Sequence, residues 1–291
     1  MSVSAQLGEV KELKLPQGTI RYRERGSGEP IVFVHGLLVN GDLWRKVVPP
    51  LSKDYRCITP DWPLGSHETP MDPTADLSPP GVTQLIADFI AALDLHEVTL
   101  VGNDTGGGFS QMVITLHPER IGRLVLTPCD AYDNFPPRAF RFMPLLARVP
   151  GGVAALMQPL RIPALRSTPI AFGWLSKNGI DADALESYVR PALADRQVRH
   201  DLAKVLRGIH PRYTLEAASH LSEFDKPVLL AWSREKAFFP VAHAERLAGD
   251  FPNARLEWIE DSYAFVPEDR PRRLAELISA FAREPAQTAA A

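Results

Sequence analysis

The sequence predicts an α/β protein with a mostly parallel sheet and helices on both faces of that sheet. Three observations carry this prediction. Short runs of β-branched and aromatic residues alternate with segments of helical periodicity along most of the chain. These runs are apolar at consecutive positions, as in strands that are buried on both faces. One long stretch without a convincing strand interrupts the alternation, and it predicts a helical insertion over the sheet.

The predicted elements follow one another in a regular order. Residues 11–15 and 18–24 alternate apolar and polar positions, as a half-exposed hairpin does. Buried strands are predicted, in chain order, at residues 31–34, 55–59, 98–101, 124–126, 228–232 and 255–259. Helices are predicted at residues 82–95, 106–117, 242–248 and 270–281. Strands and helices that alternate in this way form a mostly parallel sheet.

The insertion covers residues 133–221. It contains seven prolines between residues 136 and 169, and short helical patterns at residues 182–189 and 198–209. Its apolar side chains are more numerous than a connecting loop needs, so we expect some to pack on the core and some to line a pocket. The sequence therefore predicts a core of residues 1–132 and 222–291 and a helical cap of residues 133–221.

Composition excludes several classes of protein. The chain of 291 residues has 32 Lys and Arg against 35 Asp and Glu, which argues against a nucleic-acid partner. Two cysteines cannot form a disulfide framework, and the histidines show no metal-ligand spacing. The N-terminus does not resemble a secretory signal, and no apolar run is long enough to span a membrane. We expect a cytoplasmic monomer or homodimer with a small-molecule substrate, no membrane partner, no metal and no cofactor.

The strongest local motif is Val-Gly-Asn-Asp-Thr-Gly-Gly-Gly at residues 101–108, between a predicted strand and a predicted helix. It fits the pattern Gly-x-nucleophile-x-Gly of a sharp strand-to-helix turn, whose glycines avoid clashes between neighbouring Cβ atoms. The turn would lift Asp104 to the carboxyl end of the sheet, where it can attack an sp³ carbon and form an ester. The Gly-x-Gly-x-x-Gly order of a dinucleotide loop is absent. A helix-capping role for Asp104 is the plainer alternative.

A second motif, Phe-Val-His-Gly-Leu at residues 33–37, also follows a predicted buried strand. A His-Gly step there leaves a loop whose backbone N–H groups can point into the site. The N–H groups of Leu37 and Thr105 are the predicted oxyanion hole. By itself, His35 is most simply interpreted as a structural histidine, although its position also makes it a candidate for substrate contact.

With these motifs in this order, the chain resembles the α/β-hydrolase superfamily over nearly its whole length. The Asp in the elbow makes it similar to the branch of haloalkane dehalogenases and epoxide hydrolases, and the insertion lies where that superfamily carries its cap. The resemblance implies the α/β-hydrolase fold and hydrolysis of an ester, amide, epoxide or carbon–halogen bond without a cofactor. A minority of the superfamily are lyases, oxygenases or ligand receptors.

Two positions depart from what this resemblance implies. The family's general base is a His on the loop after the last strand, and Ala264 stands at that position. The family's supporting acid follows the preceding strand, where Lys236 stands. Glu235 and Asp130 are alternative acids. Neither restores a base, because no other His lies near the required loop.

The residues that bind the leaving group differ as well. In the family, a halide is usually held by a Trp after the nucleophile and by an Asn or similar donor after His-Gly, whereas this chain has Thr105 and Leu37. Epoxide opening needs Tyr hydroxyls from the cap. Tyr132, Tyr188 and Tyr213 are present, but the sequence does not reveal where they point.

We therefore carry three hypotheses for the function. The first is a hydrolase-like enzyme for a small, mostly apolar molecule, with Asp104 as nucleophile or acid/base. The second is a cofactor-free lyase, isomerase or cyclase in which the Lys236 ammonium enters the space left by the missing His and pairs with Asp104; a Lys236 that points to water is the alternative. The third is a non-catalytic binding protein. Substrate contacts are expected from His35, Gly36, Asn103, Phe140, Trp174, Tyr263, Ala264 and Phe265.

Overall fold

One eight-stranded sheet forms the centre of the protein. The computed structural model describes residues 5–169, 171–235 and 238–284, and the sheet lies within them. Labelled in chain order, its strands are β1 (Glu9–Leu15), β2 (Gly18–Arg25), β3 (Pro30–Val34), β4 (Arg56–Pro60), β5 (Val98–Asp104), β6 (Ile121–Cys129), β7 (Val228–Ser233) and β8 (Ala254–Ile259).

The strands are arranged in the order β1-β2-β4-β3-β5-β6-β7-β8. β1 pairs with β2, and β2 with β4, in antiparallel fashion, whereas all the pairs from β4 to β8 are parallel. The predicted hairpin and the mostly parallel α/β sheet are therefore confirmed. β5 and β6 lie in the middle and are buried almost throughout, which explains their continuous apolar sequences.

Helices cover both faces of the sheet. In the described part of the chain, the α-helices of the core are α1 (Val48–Leu51), α2 (Pro79–Ala92), α3 (Thr105–Leu116), α10 (Val241–Asp250), α11 (Val266–Asp269) and α12 (Pro271–Arg283). The helix predicted from residue 82 begins at Pro79, because the Ser78 hydroxyl accepts a hydrogen bond from the Gly81 N–H and proline fits a first turn. None of the described helices combines the length and low polarity needed to cross a bilayer.

The segment between β6 and β7 is helical in its described residues, as the sequence predicts. Its α-helices are α4 (Phe142–Leu146), α5 (Gly152–Met157), α6 (Pro163–Arg166), α7 (Ala182–Ala194), α8 (Arg196–Gly208) and α9 (Pro211–Ser219). α9 packs against α3 of the core, and the Thr214 hydroxyl donates a hydrogen bond to the Tyr132 carbonyl over 2.5 Å. The last helix of the predicted cap is thus attached to the core.

The strand order reverses direction beside β3. From β3 the chain first crosses to β4 on one side and later to β5 on the other side. The connections at the carboxyl ends of β3 and β5 therefore diverge and leave a crevice between them, which is where ligands bind in open α/β sheets. The elbow at Asp104 and the His-Gly loop both lie at this point.

Candidate active site

The elbow after β5 has the strained geometry that its sequence predicts. Asp104 is a non-glycine residue with φ of 56°, and α3 begins at the next residue, Thr105. Such a backbone conformation costs roughly 1–3 kcal/mol. Gly106 permits the turn to pack on the end of β3, since a Cβ there would lie 2.2 Å from the Val34 carbonyl oxygen. The sharp turn lifts the Asp104 carboxyl group to the carboxyl edge of the sheet.

The Asp104 side chain rests against the His-Gly loop. A Cβ on Gly36 would lie 2.2 Å from Asp104 Oδ2, closer than any real contact of that kind. Gly36 is therefore the residue that gives the carboxylate room. The two sequence motifs therefore meet at this point, because the Asp104 side chain occupies the space that a side chain at Gly36 would fill.

A cavity of about 490 Å³ opens above this carboxylate. The structure brings five of the expected site residues to its wall: Leu37, Asp104, Thr105, Phe140 and Trp174. Among the described lining residues, only Asp104 and Thr105 are polar. The remaining wall is formed by Leu, Met, Phe, Trp, Pro and Ala side chains, most of them from the cap. The cavity therefore suits an uncharged, apolar molecule with its reacting group at Asp104.

Burial perturbs the titration of Asp104. Desolvation raises the pKa of its carboxyl group to about 7, and the Thr105 backbone N–H offsets part of that rise. The carboxyl group of Asp130, after β6, is a close electrostatic neighbour. It is fully buried, and its Oδ2 accepts a hydrogen bond from the Thr105 hydroxyl over 3.1 Å.

Asp130 is the carboxyl group of this pair whose environment disfavours the charged form more strongly. Burial and the nearby Asp104 charge raise the pKa of Asp130 well above its ordinary value. Its Oδ1 has no hydrogen-bond partner among the described atoms, so a charge there would be poorly solvated. Asp104, which faces the cavity, is therefore the carboxyl group of the pair that ionises more readily.

His35 has a structural role in place of the expected substrate contact. The ring is fully buried; its Nδ1 lies 2.9 Å from the Gly36 carbonyl oxygen, and Nε2 accepts a hydrogen bond from the Trp62 N–H over 2.9 Å. These two bonds require the neutral ring with its proton on Nδ1. Burial lowers the pKa of His35 to about 4. Its imidazole thus holds the loop that carries Gly36 and Leu37.

Asn103 also lies behind the cavity wall. Its side-chain amide donates to the Thr127 hydroxyl (2.8 Å), the Pro128 carbonyl (3.2 Å) and the Ala264 carbonyl (2.8 Å). It ties together the elbow, the end of β6 and the loop after β8. Ala264 is 1% exposed and does not line the cavity, so its methyl group is covered by neighbouring atoms and does not open onto the cavity.

The loop after β8 is attached to the cap. The Phe265 N–H donates to the Leu175 carbonyl over 2.7 Å. Asp269 accepts hydrogen bonds from the backbone N–H groups of Lys177 (3.0 Å), Asn178 (2.9 Å) and Tyr263 (2.9 Å). Tyr263 and Phe265, like Ala264, are absent from the cavity wall. This loop therefore contacts the cap backbone and contributes no side chain to the described cavity wall.

Glu235, the candidate acid after β7, does not contact Asp104 in the described residues. Lys236, the predicted partner of Asp104, lies outside them. Both carboxylate oxygens of Glu235 accept hydrogen bonds from Lys177 Nζ over 2.7 Å, at the surface between core and cap. Asp130 is therefore the alternative acid that the structure brings close to Asp104.

None of the three tyrosines considered from the sequence lines the cavity. The Tyr132 hydroxyl donates to Asp250 over 2.9 Å, and the fully buried Tyr188 hydroxyl donates to Glu268 over 3.3 Å. The Tyr213 hydroxyl accepts a hydrogen bond from Arg212 over 2.5 Å. The acid that assists epoxide opening in the related enzymes has no tyrosine equivalent among the described residues.

The sequence did not mark most members of the cavity wall, and Leu38 and Phe238 are two examples. Leu38 follows the His-Gly loop, and Phe238 stacks on Phe140 at 4.8 Å between ring centroids. No local pattern marks either residue, since each reaches the cavity through the packing of cap on core. Among the described residues, no cluster of three or more His, Cys, Asp or Glu side chains could hold a metal ion.

Comparison with known proteins agrees with this architecture. A family model described as the α/β-hydrolase fold matches residues 29–149. A curated relative, haloalkane dehalogenase 2 of Mycobacterium tuberculosis, is 27% identical over 267 residues, which cover 90% of this chain and 91% of that protein. The chain therefore has the α/β-hydrolase fold, and its sequence is similar to that of a haloalkane dehalogenase.

Solved structures are similar over nearly the whole chain. A haloalkane dehalogenase variant from Agrobacterium tumefaciens has a TM-score of 0.79 at 22% identity, covering 97% of this chain and 100% of that one. The epoxide hydrolase CorEH has a TM-score of 0.78 at 18% identity, covering 94% and 98%. These structural similarities show that the chain shares the fold of a haloalkane dehalogenase and of an epoxide hydrolase.

Proposed function

We propose that this protein is a hydrolase-type enzyme for a small, uncharged, mostly apolar molecule, with Asp104 as its nucleophile. The observation that carries the proposal is the position of the Asp104 carboxylate on a strained turn, at the wall of an otherwise apolar cavity. Strain at this position has a cost in stability that helix capping does not explain, because the Asp104 side chain makes no capping hydrogen bond. Relatives named as dehalogenase and lipase support hydrolase chemistry.

The proposed first step is displacement at carbon. One Asp104 carboxylate oxygen forms a bond to an sp³ carbon while the bond from that carbon to its leaving group breaks, and the leaving group departs with the electron pair. The N–H groups of Leu37 and Thr105, both at the cavity wall, are the proposed oxyanion hole for the second step. That step requires an activated water, and Ala264 supplies no base for it. The ester should therefore be long-lived.

The nature of the leaving group affects the first step. A halide departs without a proton, whereas an opened epoxide oxygen needs one. Because no tyrosine lines the described cavity, we expect alkyl halides to react faster with Asp104 than epoxides of similar size.

Intact-protein mass spectrometry tests the proposal. The protein and two variants, Asp104→Asn and Asp130→Asn, are incubated with a panel of apolar alkyl halides, epoxides and activated esters. A mass gain that is present in the wild type and in Asp130→Asn, and lost in Asp104→Asn, is the expected result. Asp130→Asn is the matched control, since it removes a neighbouring buried carboxyl that does not line the cavity. An adduct that persists in Asp104→Asn would contradict the nucleophile assignment.

Acid/base chemistry at Asp104 is a second candidate, favoured by the pKa of about 7 at Asp104 and by the neighbouring carboxyl group of Asp130, whose pKa is raised by burial. In this case Asp104 removes a proton in an elimination, cyclisation or isomerisation, and the ammonium of Lys236 is a candidate partner. No mass gain across the panel, together with ligand-induced stabilisation in a thermal-shift screen, would favour this chemistry or simple ligand binding. Conversion of the stabilising ligand would separate the enzyme from the non-catalytic binding protein.

A further inference from the structure

The cap carries most of the large apolar side chains that are exposed. In the described part of the chain, five of the eight such residues lie within residues 134–180. They are Phe142 (50% exposed), Leu145 (62%), Val149 (56%), Ile162 (56%) and Trp174 (56%). This segment is about a sixth of the chain, so the concentration is not what a randomly distributed surface would show.

The same segment has a one-sided charge. Residues 134–180 contain six Lys and Arg and no Asp or Glu, whereas the rest of the chain has 26 Lys and Arg against 35 Asp and Glu. Five of these cations are exposed, and three of the five, Arg138, Arg141 and Arg148, lie near α4 in the sequence. None of the three forms an ion pair with a described residue; Arg141 donates a hydrogen bond to the Asp133 backbone carbonyl. The cap is thus a basic, apolar surface on an otherwise acidic protein.

Local structure brings the apolar and basic side chains to one side. α4 is prolonged by turns in which the Arg148 and Val149 N–H groups donate to the carbonyls three residues earlier. Phe142, Leu145 and Val149 follow at helical spacing and are exposed, and Arg141 and Arg148 each precede one of them. The opposite side, with Met143, Pro144 and Ala147, is buried. We call Arg138, Arg141, Phe142, Leu145, Arg148, Val149 and Trp174 the cap face.

The cap face is continuous with the cavity. Phe142 and Trp174 both line the cavity and are at least half exposed, so they form its rim. Behind this rim, the described wall remains apolar until Asp104 and Thr105. An apolar molecule that enters here passes from the cap face to Asp104 along apolar side chains.

We propose that the cap face docks on the surface of an anionic lipid bilayer, from which the cavity takes a lipid-soluble substrate. Arg side chains beside Phe, Trp and Leu match the interfacial layer of a membrane, because the guanidinium groups reach anionic headgroups while the apolar groups enter the acyl boundary. An acidic protein partner would satisfy the charge, but it would not explain why the exposed apolar groups surround a cavity mouth.

The sequence predicts no membrane partner, because it has no apolar run long enough to span a bilayer. The cap face changes that expectation. Docking at an interface requires neither a long helix nor an apolar run, only a basic and apolar face. The delivery of substrate rests on the proposed function, whereas docking itself does not.

Vesicle co-sedimentation tests the docking. The full-length protein is mixed with vesicles of phosphatidylcholine and phosphatidylglycerol, or of phosphatidylcholine alone. We expect binding to the anionic vesicles, weaker binding to the neutral ones, and a strong decrease at high salt. Failure of the wild type to bind anionic vesicles would overturn the proposal and leave an acidic protein as the occupant of the cap face.

Two triple variants locate the contact. Neutralising the cations, with Arg138→Gln, Arg141→Gln and Arg148→Gln, should weaken binding by about fivefold for each charge removed. Replacing the apolar groups, with Phe142→Ser, Leu145→Ser and Val149→Ser, should weaken it by at least about tenfold. The matched control replaces exposed apolar residues outside the cap face, with Val10→Ser, Leu116→Ser and Leu215→Ser, and should bind as the wild type does.

Fluorescence gives an independent measurement that does not depend on the folding of a triple variant. Trp174 is the tryptophan that is more than half exposed, while Trp44, Trp62 and Trp232 are fully buried. Anionic vesicles should therefore shift the emission of the wild type to shorter wavelength, and Trp174→Phe should lose this shift. An unchanged shift in Trp174→Phe, or full vesicle binding by both triple variants, would show that another surface docks. Asp104→Asn should dock normally, which separates failure of docking from failure of the proposed chemistry.

Discussion

The loops after β5 and after β8 end at the same edge of the sheet but are built in opposite ways. The first places a charged side chain, Asp104, on a strained turn and leaves it facing the cavity. The second buries a small side chain, Ala264, and uses its backbone to hold the elbow through Asn103 and the cap through Phe265. The difference teaches that the first loop acts through a side chain that it positions at the cavity, whereas the second acts through its backbone as a structural joint between the elbow and the cap.

The largest effect is expected at the joint itself. Asp269→Ala removes the acceptor of three backbone N–H groups, at Lys177, Asn178 and Tyr263, and leaves them without partners. Because hydrogen bonds to a charged group are the stronger ones, we expect a loss of about 3 kcal/mol or more in the free energy of unfolding, measured by urea denaturation. Asp261→Asn in the loop after β8 is the control, since Asn tolerates the positive φ of Asp261 and removes only its charge. Its carboxylate forms half-exposed ion pairs, and its removal should change stability by less than about 1 kcal/mol.

The positioning of Asp104 is tested at its neighbour. A Cβ in Gly36→Ala would lie 2.2 Å from Asp104 Oδ2 and would displace the carboxylate. Because misplacement by about 1 Å can reduce a rate by about 100-fold, we expect the rate of adduct formation to decrease by that order. Gly249→Ala, where nothing lies within 4 Å of the added Cβ, should react at the wild-type rate. Equal rates for the two variants would mean that the carboxylate tolerates a different position.

Restoring the family's residue should not restore its function. Ala264→His introduces a ring at a position that is 1% exposed, between Asn103 and the cap. Overpacking of this kind costs about 1–3 kcal/mol, so thermal unfolding should occur at a lower temperature. The lifetime of the Asp104 adduct should remain that of the wild type. Rapid hydrolysis of the adduct in Ala264→His would instead show that the loop still has room for a base.

The smallest effect concerns the charge of Asp104. Its pKa is raised by burial to about 7, so the folded state binds more protons than the unfolded state between about pH 4 and pH 7. Stability therefore decreases as the pH rises through this window, and the cost is present in full above it. Asp104→Asn removes this cost.

Urea denaturation should consequently show that the gain in stability from Asp104→Asn is about 1–2 kcal/mol larger at about pH 8 than at about pH 5. This figure allows for the partial exposure of Asp104 to the cavity. His35 contributes in the opposite sense, because its pKa of about 4 makes the folded protein lose stability as the pH falls below about 6.5, and it does so equally in both proteins. A gain that is the same at both pH values would mean that the Asp104 pKa is not raised.

The sequence by itself determined the order of strands and helices and the position of the sharp turn. These features depend on local patterns: continuous apolar runs for β5 and β6, helical spacing for α2 and α12, and glycines where Cβ atoms would clash at Gly102 and Gly106. The observed helix boundaries differ from the predicted ones by a few residues where a capping side chain or a proline sets the first turn, as at Pro79. Periodicity and turn chemistry act between near neighbours, so they can be recognised without the fold.

Only the tertiary structure decided which residues face the cavity. His35, Asn103 and Ala264 stand beside or within the expected motifs, yet none of them lines the cavity. The side chains of His35 and Asn103 form hydrogen bonds with distant backbone groups, and for Asn103 that group is the Ala264 carbonyl. Phe238 and Leu38 have no distinctive sequence context and still form part of its wall. The raised pKa of Asp130 likewise depends on burial and on Asp104, a neighbour 26 residues away in the chain. Burial and the direction of a side chain are set by contacts between remote segments, and these exist only once the cap has packed on the sheet.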